Sequence, residues 1–392
     1  MDTATTLDAA DAAEPDARAD SAEPVTLPPM LPEGIHFGLD ETAYHADPAL
    51  GSGAIRDLAK CPIYYWGASW MNPFREPDKE TPALLYGRAL HCLVLEGPAE
   101  FAKRYWPIPR PEDHPGALVK SDDIKARIRD FPDSLRKSAD VKLTADKAGL
   151  IAGLKRLDPG AVIFDEILDQ FRGRCVEQGV TALPDALHSE IIQAAAYILG
   201  DARVQAAFRG GRPEVSLFWD QDGVPMKARL DYVRLGRENG EPVGIITDLK
   251  SFANALDLSP ERAVMRAIAT TRLDVQAAAY LEGIKRIPEW IAAGKVHGAD
   301  GVNPEWLHVL GAIKPENWRF FWCFYEKGLP VSMLRATRPG SPVIEMARMS
   351  LSRALQAYRD NMAAYGTAWR FVDPVADSEV VIDDLPKWLG ND

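Results

Sequence analysis

Two glycine-containing dipeptides, Asp222-Gly223 and Asn239-Gly240, divide residues 214–250 into three segments rich in β-branched, aromatic and alternating apolar side chains. Asp-Gly and Asn-Gly favour two-residue hairpin turns, because both central residues of a type I′ turn need a positive φ. The sequence therefore predicts an antiparallel meander. Its three strands are expected at 214–219, 226–235 and 243–250.

The register of these turns places three acidic residues in one row. A two-residue turn at the second dipeptide sets Asp231 opposite Asp248, and one at the first sets Glu214 opposite Asp231. Residues directly opposite each other on antiparallel strands have Cβ atoms about 5 Å apart. We therefore expect an acid row, Glu214, Asp231 and Asp248, across three adjacent strands.

Such a row implies a compensating cation, because opposed like charges destabilise a sheet. Carboxylate oxygens suit Mg²⁺, with Mn²⁺ able to substitute. Lys250 lies two residues after Asp248 and shares its strand face, where an ammonium can stabilise charge on a phosphoryl group. The alternative is a set of solvated acids on an exposed strand face, with longer turns. That alternative suits a single acid better than three acids and a lysine in register.

The chain is expected to form one large domain behind an acidic tail. Residues 1–33 contain few bulky apolar side chains, and residues 1–24 carry seven acids against one base, so this segment is expected to be disordered. Residues 34–392 are expected to form the folded domain. A polar helical insertion rich in Lys and Arg is expected at about 116–170.

Helical periodicity and breakers predict the other main elements. Helices are expected at 83–97, at about 185–209 and over 256–283. A late hairpin is expected to join strands 319–325 and 329–337 around Lys327-Gly328, and a further helix is expected after it, through about residue 365.

Composition excludes several classes of protein. The sequence has no run of about 18 uncharged apolar residues, so no membrane span is expected. Four widely separated cysteines and no secretory leader pattern indicate a cytoplasmic location and argue against disulfides and compact zinc or iron–sulfur motifs. The net charge of −12 does not exclude a nucleic-acid partner, because binding depends on where the basic residues cluster.

Three features, in chain order, resemble the PD-(D/E)xK nuclease superfamily. The acid row with Asp248-Leu249-Lys250 resembles its split catalytic core, with Asp248 where many relatives carry Glu. Gly87-Arg-Ala-Leu-His91 resembles the upstream helical motif of the RecB-like branch. Gln276-Ala-Ala-Ala-Tyr280 resembles the Q-x-x-x-Y motif that follows the core.

Within this superfamily the chain is most similar to RecE-like exonucleases, namely exodeoxyribonuclease VIII and its phage relatives. The resemblance spans roughly 38–390 and is weakest over 110–185. The supporting segments are 44–52, 90–96, 214–219 and 324–330.

The resemblance implies a role for each matching residue. The implied catalytic residues are Glu214, Asp231, Asp248 and Lys250. The implied metal ligands are His91, Asp231, Asp248 and the backbone carbonyl of Leu249. The implied DNA contacts are Gln276, Tyr280, Arg88 and Ser52, although Arg88 and Ser52 are equally consistent with structural roles.

The resemblance also implies a fold, a reaction and partners. The fold would be the α/β nuclease fold, with a mixed, mainly antiparallel central sheet flanked by helices. The reaction would be Mg²⁺-dependent 5′-to-3′ exonuclease digestion from double-stranded DNA ends, leaving 3′ single strands for recombination. The partners would be a single-strand annealing recombinase and further copies of the chain in a ring. A RecB-like endonuclease, an adaptation-type nuclease and a non-catalytic DNA-binding protein remain as alternatives.

Overall fold

The structure, a computed structural model, describes residues 27–76, 79–329 and 332–369. Its strands are β1 (Gly34–His36), β2 (Tyr105–Pro107), β3 (Thr181–Leu183), β4 (Arg212–Asp220), β5 (Pro225–Glu238), β6 (Glu241–Phe252), β7 (Val296–His297), β8 (Trp318–Glu326) and β9 (Ser332–Thr337). Its helices are α1 (Glu41–Ala46), α2 (Ser52–Lys60), α3 (Pro62–Ala68), α4 (Pro82–His91), α5 (Pro98–Arg104), α6 (Ser121–Arg129), α7 (Asp133–Ser138), α8 (Lys147–Leu157), α9 (Phe164–Gln178), α10 (Asp185–Gly200), α11 (Ala202–Ala207), α12 (Pro260–Thr270), α13 (Leu273–Gly283), α14 (Ile287–Ala292), α15 (Pro304–Gly311) and α16 (Pro342–Tyr365).

Both predicted hairpin turns are present and have the two-residue geometry. Asp222 and Gly223 have φ values of 54° and 81°, and Asn239 and Gly240 have values of 51° and 84°. Positive φ at both central residues is what a type I′ turn requires. Strands β4, β5 and β6 contain the three predicted segments and extend beyond them. The antiparallel meander is confirmed.

The register of the meander is also the predicted one. Val215 faces Leu230 between β4 and β5, and Tyr232 faces Thr247 between β5 and β6. These pairs flank the positions of the acid row. The turn chemistry therefore determines which residues meet across the strands.

The meander forms the middle of a seven-stranded sheet with the order β7-β1-β4-β5-β6-β8-β9. Strands β6 and β8 are parallel, as are β1 and β7, whereas the other neighbours are antiparallel. The chain between β6 and β8 passes through four helices, α12 to α15, which gives it the length that a parallel return requires. The predicted fold class, an α/β chain with a mixed, mainly antiparallel sheet flanked by helices, is confirmed.

The central sheet separates two hydrophobic cores. Along β8, Phe320, Trp322 and Phe324 belong to a core with α13 and α16. Cys323 and Tyr325 belong to a second core with α4 and α10. Successive strand residues point to opposite faces, so both faces of the sheet are covered. Ten of the eleven residues of α13 are buried, because this helix lies between the sheet and α16.

Three helix predictions are correct in type but not in extent. The helix expected over 256–283 is two helices, α12 and α13, separated at Arg272, whose φ is 52°. The helix expected at 83–97 is α4 followed by a π-helical turn at Cys92–Glu96. The segment expected at 185–209 is divided between α10 and α11. The late hairpin is formed by β8 and β9, and residues 330–331 lie outside the described residues.

The segment predicted as an insertion is helical and contains α6, α7 and α8, and α9 extends past the predicted limit at 170. It joins the rest of the chain next to the two-stranded parallel sheet of β2 and β3. Within the described part of the chain, no helix combines the length and the apolar character needed to cross a membrane.

Residues on the N-terminal side of the predicted boundary at residue 33 make contacts with the folded part of the chain. Leu31 donates its backbone N–H to Asp47, and Glu33 pairs with Lys295 and accepts a hydrogen bond from the Trp290 indole. Ordered contacts therefore begin before the first strand. Residues 1–26 and 370–392, which the predicted tail and domain include, lie outside the described residues.

Two truncations test this boundary. Deleting residues 1–26 should leave the thermal unfolding midpoint unchanged, because this acidic segment has few bulky apolar side chains to pack. Deleting residues 1–33 should lower the midpoint by about 2–5 °C, because the contacts of Leu31 and Glu33 are lost. Differential scanning calorimetry of both variants and of the full chain measures the difference. Equal midpoints for the two truncations would show that residues 27–33 contribute nothing.

Candidate active site

The acid row lies where the pairing of β5 and β6 ends. Tyr232 and Thr247 form the last pair of that ladder, and Asp231 and Asp248 follow it at the next position. There the Asp231 carboxylate, rather than a backbone carbonyl, accepts the N–H of Leu249 at 2.8 Å. The strand end thus brings two carboxylates and the backbone of Leu249 together.

Asp248 is fully buried and is held on both sides. Its Oδ1 accepts a hydrogen bond from Gln276 Nε2 at 3.1 Å, and its Oδ2 lies 2.7 Å from Lys250 Nζ. Gln276 also donates to the Tyr280 hydroxyl at 3.1 Å. Burial raises the pKa of Asp248 to about 6, although the Lys250 ammonium opposes this shift.

Lys250 supplies the positive charge beside these acids. Burial by itself lowers the pKa of Lys250, but the charges of Asp248 and Asp231 outweigh that effect and raise it above its ordinary value. The side chain is therefore an ammonium at neutral pH. The contact between its Nζ and Asp248 Oδ2 confirms that Lys250 shares a strand face with Asp248, as its spacing predicts.

His91, at the end of α4, reaches the same backbone. Its Nε2 lies 2.9 Å from the carbonyl oxygen of Leu249, and its Nδ1 lies 3.8 Å from Asp231 Oδ2. Burial, followed by the Lys250 charge, lowers the pKa of His91 to about 4, so the ring is neutral at pH 7. Because a carbonyl only accepts, Nε2 carries the proton and the lone pair of Nδ1 lies near Asp231.

Glu214 occupies its predicted position but leaves the strand geometry. Its φ is 52°, and the pairing of β4 with β5 is interrupted between Pro213 and Val215. A left-handed backbone at a non-glycine residue costs about 1–2 kcal/mol and is concentrated at functional sites. Burial and the charge of Asp231 raise the pKa of Glu214 to about 8, against the influence of Arg229, 3.6 Å away.

A cavity of about 1280 Å³ opens beside the acid row. Its lining includes Glu214, Asp231 and His91 from the predicted site, and Ser52, Arg88 and Tyr280 from the predicted DNA contacts. Arg88 is ion-paired with Glu80. The structure therefore brings most of the predicted residues around one cavity.

Gln276 has a different environment from the one expected of a DNA contact. Its side chain is buried, and its amide donates to Asp248 and Tyr280. In this arrangement Gln276 holds a carboxylate of the acid row. Contact between Gln276 and DNA stays a prediction.

Lys227 and Arg229 are two of the cationic cavity residues that the sequence analysis did not identify. Lys227 and Arg229 precede Asp231 on β5 at alternate positions and line the cavity with it. The Lys227 ammonium donates to two backbone carbonyls, those of Tyr44 and Asp47, at 2.7 Å each. The period-two spacing before Asp231 was the available signal, because alternate strand residues share a face.

The donor chemistry of this site fits a hard divalent cation. Three acids face two cations, Lys250 and Arg229, and burial is the largest cause that raises the pKa of each acid. The unprotonated Nδ1 of His91 lies near Asp231 Oδ2, where a positive charge would be stabilising. As the side chains lie, no three His, Cys, Asp or Glu residues of the described chain form a group that could hold a metal ion. His91 and Asp231 are instead hydrogen-bonded to the backbone of Leu249, and Asp248 is bonded to Gln276 and Lys250.

Comparisons with known proteins assign no family to the chain. No family model matches the chain, and no curated protein matches it. Among solved structures, the chain is similar to one from Eubacterium rectale described as a "putative exonuclease", with 14% identity and a TM-score of 0.40. That similarity covers 83% of this chain and 88% of the other.

The pKa of Glu214 predicts a pH-dependent gain in stability for Glu214→Gln. Because the folded-state pKa, about 8, exceeds the ordinary value of 4.5, wild-type stability falls as pH rises from about 4.5 to about 8. Glutamine does not titrate, so it adds no pH dependence to the free energy of unfolding. Relative to wild type, the variant should therefore gain on the order of 2–4 kcal/mol between pH 5 and pH 9.

Urea unfolding in EDTA at pH 5, 7 and 9 measures this gain. The exposed Glu261→Gln variant is the control and should follow wild type at each pH. A constant difference between Glu214→Gln and wild type across this range would contradict the assignment of a raised pKa.

Proposed function

We propose that this protein is a metal-dependent nuclease that hydrolyses phosphodiester bonds of duplex DNA. The observation that carries the proposal is the convergence of Asp231, Asp248 and Lys250 at one strand end, next to a cavity of about 1280 Å³. Buried carboxylates in excess, with a protonated lysine beside them, are suited to charged phosphoryl chemistry. The resemblance of the motifs to PD-(D/E)xK nucleases supports the same activity.

Each residue would have a separate task. Asp231, Asp248, the Leu249 carbonyl and His91 would hold Mg²⁺ or Mn²⁺, after exchanging their present hydrogen bonds. A bound divalent cation lowers the pKa of a water molecule and neutralises charge on the phosphoryl oxygens. Lys250 would stabilise negative charge that develops on the phosphate.

The surroundings would orient these groups and the substrate. Gln276 and Tyr280 fix the direction of the Asp248 carboxylate through the hydrogen bonds described above. Arg229 and Lys227 place positive charge in the cavity wall, where the phosphates of the bound DNA strand would lie. Glu214, with its raised pKa, would position water at the edge of the row.

The finer proposal is RecE-like exonuclease activity. It consists of 5′-to-3′ digestion from double-stranded ends, cooperation with a single-strand annealing recombinase, and assembly of several copies into a ring. The motif resemblance is its support. Purified protein with Mg²⁺, incubated with linear and circular duplexes labelled at either end, tests it. Cleavage of circular DNA would favour an endonuclease, and binding without cleavage would favour a non-catalytic DNA-binding protein.

Asp248→Ala should abolish cleavage and leave the protein folded. The carboxylate is a proposed metal ligand, and after its removal the Lys250 ammonium still has a second acid, Asp231, to compensate its charge. Single-turnover cleavage, circular dichroism and duplex binding in EDTA measure activity, fold and affinity separately. Asp360→Ala, an exposed acid on α16, is the matched control. Turnover at the wild-type rate in Asp248→Ala would exclude this site.

Lys250→Ala should separate metal binding from chemistry. A protonated ammonium cannot ligate a cation, so Mg²⁺ affinity should be unchanged or slightly higher. Cleavage should nevertheless fall about 100-fold or more, because a stabiliser of transition-state charge is lost. Lys250→Arg should not restore full activity, because a planar guanidinium does not replace a compact ammonium 2.7 Å from Asp248.

Calorimetric Mg²⁺ titration beside single-turnover cleavage tests both halves of this prediction. Loss of metal affinity together with activity would show that Lys250 maintains the site rather than the reaction. Retained activity would show that Lys250 contributes neither to the structure of the site nor to the cleavage reaction.

A further inference from the structure

Residues 118–164, here called the inserted unit, form a self-contained helical module. Its own core is separate from the two cores beside the sheet and consists of the buried side chains of Ile124, Ile128, Leu150, Leu154 and Ile163. The two ends of the unit meet. Leu118 donates its N–H to Val162 and accepts one from Phe164. The unit thus has a hydrophobic core of its own and two ends that are joined by hydrogen bonds.

The charge of the inserted unit is opposite to that of the whole chain. It contains ten Lys and Arg and seven Asp residues, a net charge of +3, whereas the whole chain carries −12. Two of these bases, Lys147 and Lys155, pair with Asp165 and Glu166 just after the unit. Positive charge concentrated on one module of an acidic protein indicates an electrostatic partner of negative charge.

The acids of the unit are largely engaged by internal partners. Four of them form ion pairs, namely Asp122, Asp130, Asp133 and Asp158. Asp123 and Asp146 accept backbone N–H groups at the starts of α6 and α8. Asp140 is the remaining acid. The negative charges of the unit are therefore mostly neutralised locally.

Four cations of the unit remain open. Within the described residues, Lys120, Arg129, Lys137 and Lys142 are exposed and make neither an ion pair nor a side-chain hydrogen bond. The last three lie within one segment, 129–142, around α7. Arg156, from α8, donates to the carbonyls of Ala139 and Asp140 in this segment and so adds positive charge without a carboxylate partner.

Both chain connections of the unit lead to the wall of the active-site cavity. On the incoming side, Tyr105 of β2 lines the cavity, and on the outgoing side Gly179 and Thr181 line it directly after α9. A 15-residue helix such as α9 is about 22 Å long. A duplex rises about 3.4 Å per base pair, so this length corresponds to about seven base pairs.

We propose that the inserted unit is a second contact for duplex DNA, in which Arg129, Lys137 and Lys142 bind phosphates outside the cleavage site. The inference rests on the proposed nuclease function and adds to it a surface on which part of the substrate is held. This contact is independent of sequence, because it is made to phosphates. It requires a duplex long enough to reach from the cavity to the unit.

The test is the triple variant Arg129→Gln, Lys137→Gln and Lys142→Gln in the full chain. Binding to a duplex of about 40 base pairs is measured in EDTA from 50 to 200 mM salt. Each lost phosphate contact lowers the salt slope by about 0.9, so the loss of affinity over this range should be about 40-fold smaller than for wild type. Cleavage of a duplex of about six base pairs, measured with Mg²⁺, should be unchanged.

The control is a second triple variant, Arg209→Gln, Arg262→Gln and Arg338→Gln, which removes three exposed cations outside the unit. It should keep the wild-type slope. An equal change in both variants would attribute the effect to total charge and overturn the proposal, as would a wild-type slope in the first variant. The first triple variant could show the expected reduction in salt slope while the wild-type protein never cleaves duplex DNA. That outcome would overturn the nuclease function and leave this contact standing.

Discussion

The burial of the Asp248 carboxylate is the constraint on which the site depends. Burying a carboxylate is costly unless an opposite charge and hydrogen bonds satisfy it. Here Lys250 supplies the charge at 2.7 Å and Gln276 supplies a hydrogen bond at 3.1 Å. The second partner depends on packing, because Gln276 lies on α13, which is buried between the sheet and α16. The chemistry of the strand end and the core of the fold are therefore coupled.

The acid row shows how a sheet can hold repelling groups. Glu214 leaves the strand geometry, Asp231 accepts the N–H of Leu249, and Asp248 is paired with Lys250. Each acid therefore has its own local compensation, yet burial raises the pKa of each. Three acids against two nearby cations, Lys250 and Arg229, are the physical basis for proposing a divalent cation at this strand end.

Charge is distributed unevenly along the chain, and this bears on the proposed binding of a nucleic acid. The cavity wall contains two largely buried cations, Lys227 and Arg229, beside the acids. The inserted unit carries open cations on its surface, although the whole chain is acidic. A polyanion would thus meet positive charge both near the acid row and on a separate module.

The sequence by itself determined the meander, its turns and its register, because type I′ turns and the two-residue period of strands are local properties. It therefore also determined that Glu214, Asp231, Asp248 and Lys250 share one region. Only the tertiary structure decided that Gln276 would bond Asp248, since that contact requires α13 to pack on the sheet. It likewise decided the break at Arg272 and the left-handed backbone of Glu214. These features depend on contacts between segments far apart in the chain, which local sequence patterns do not encode.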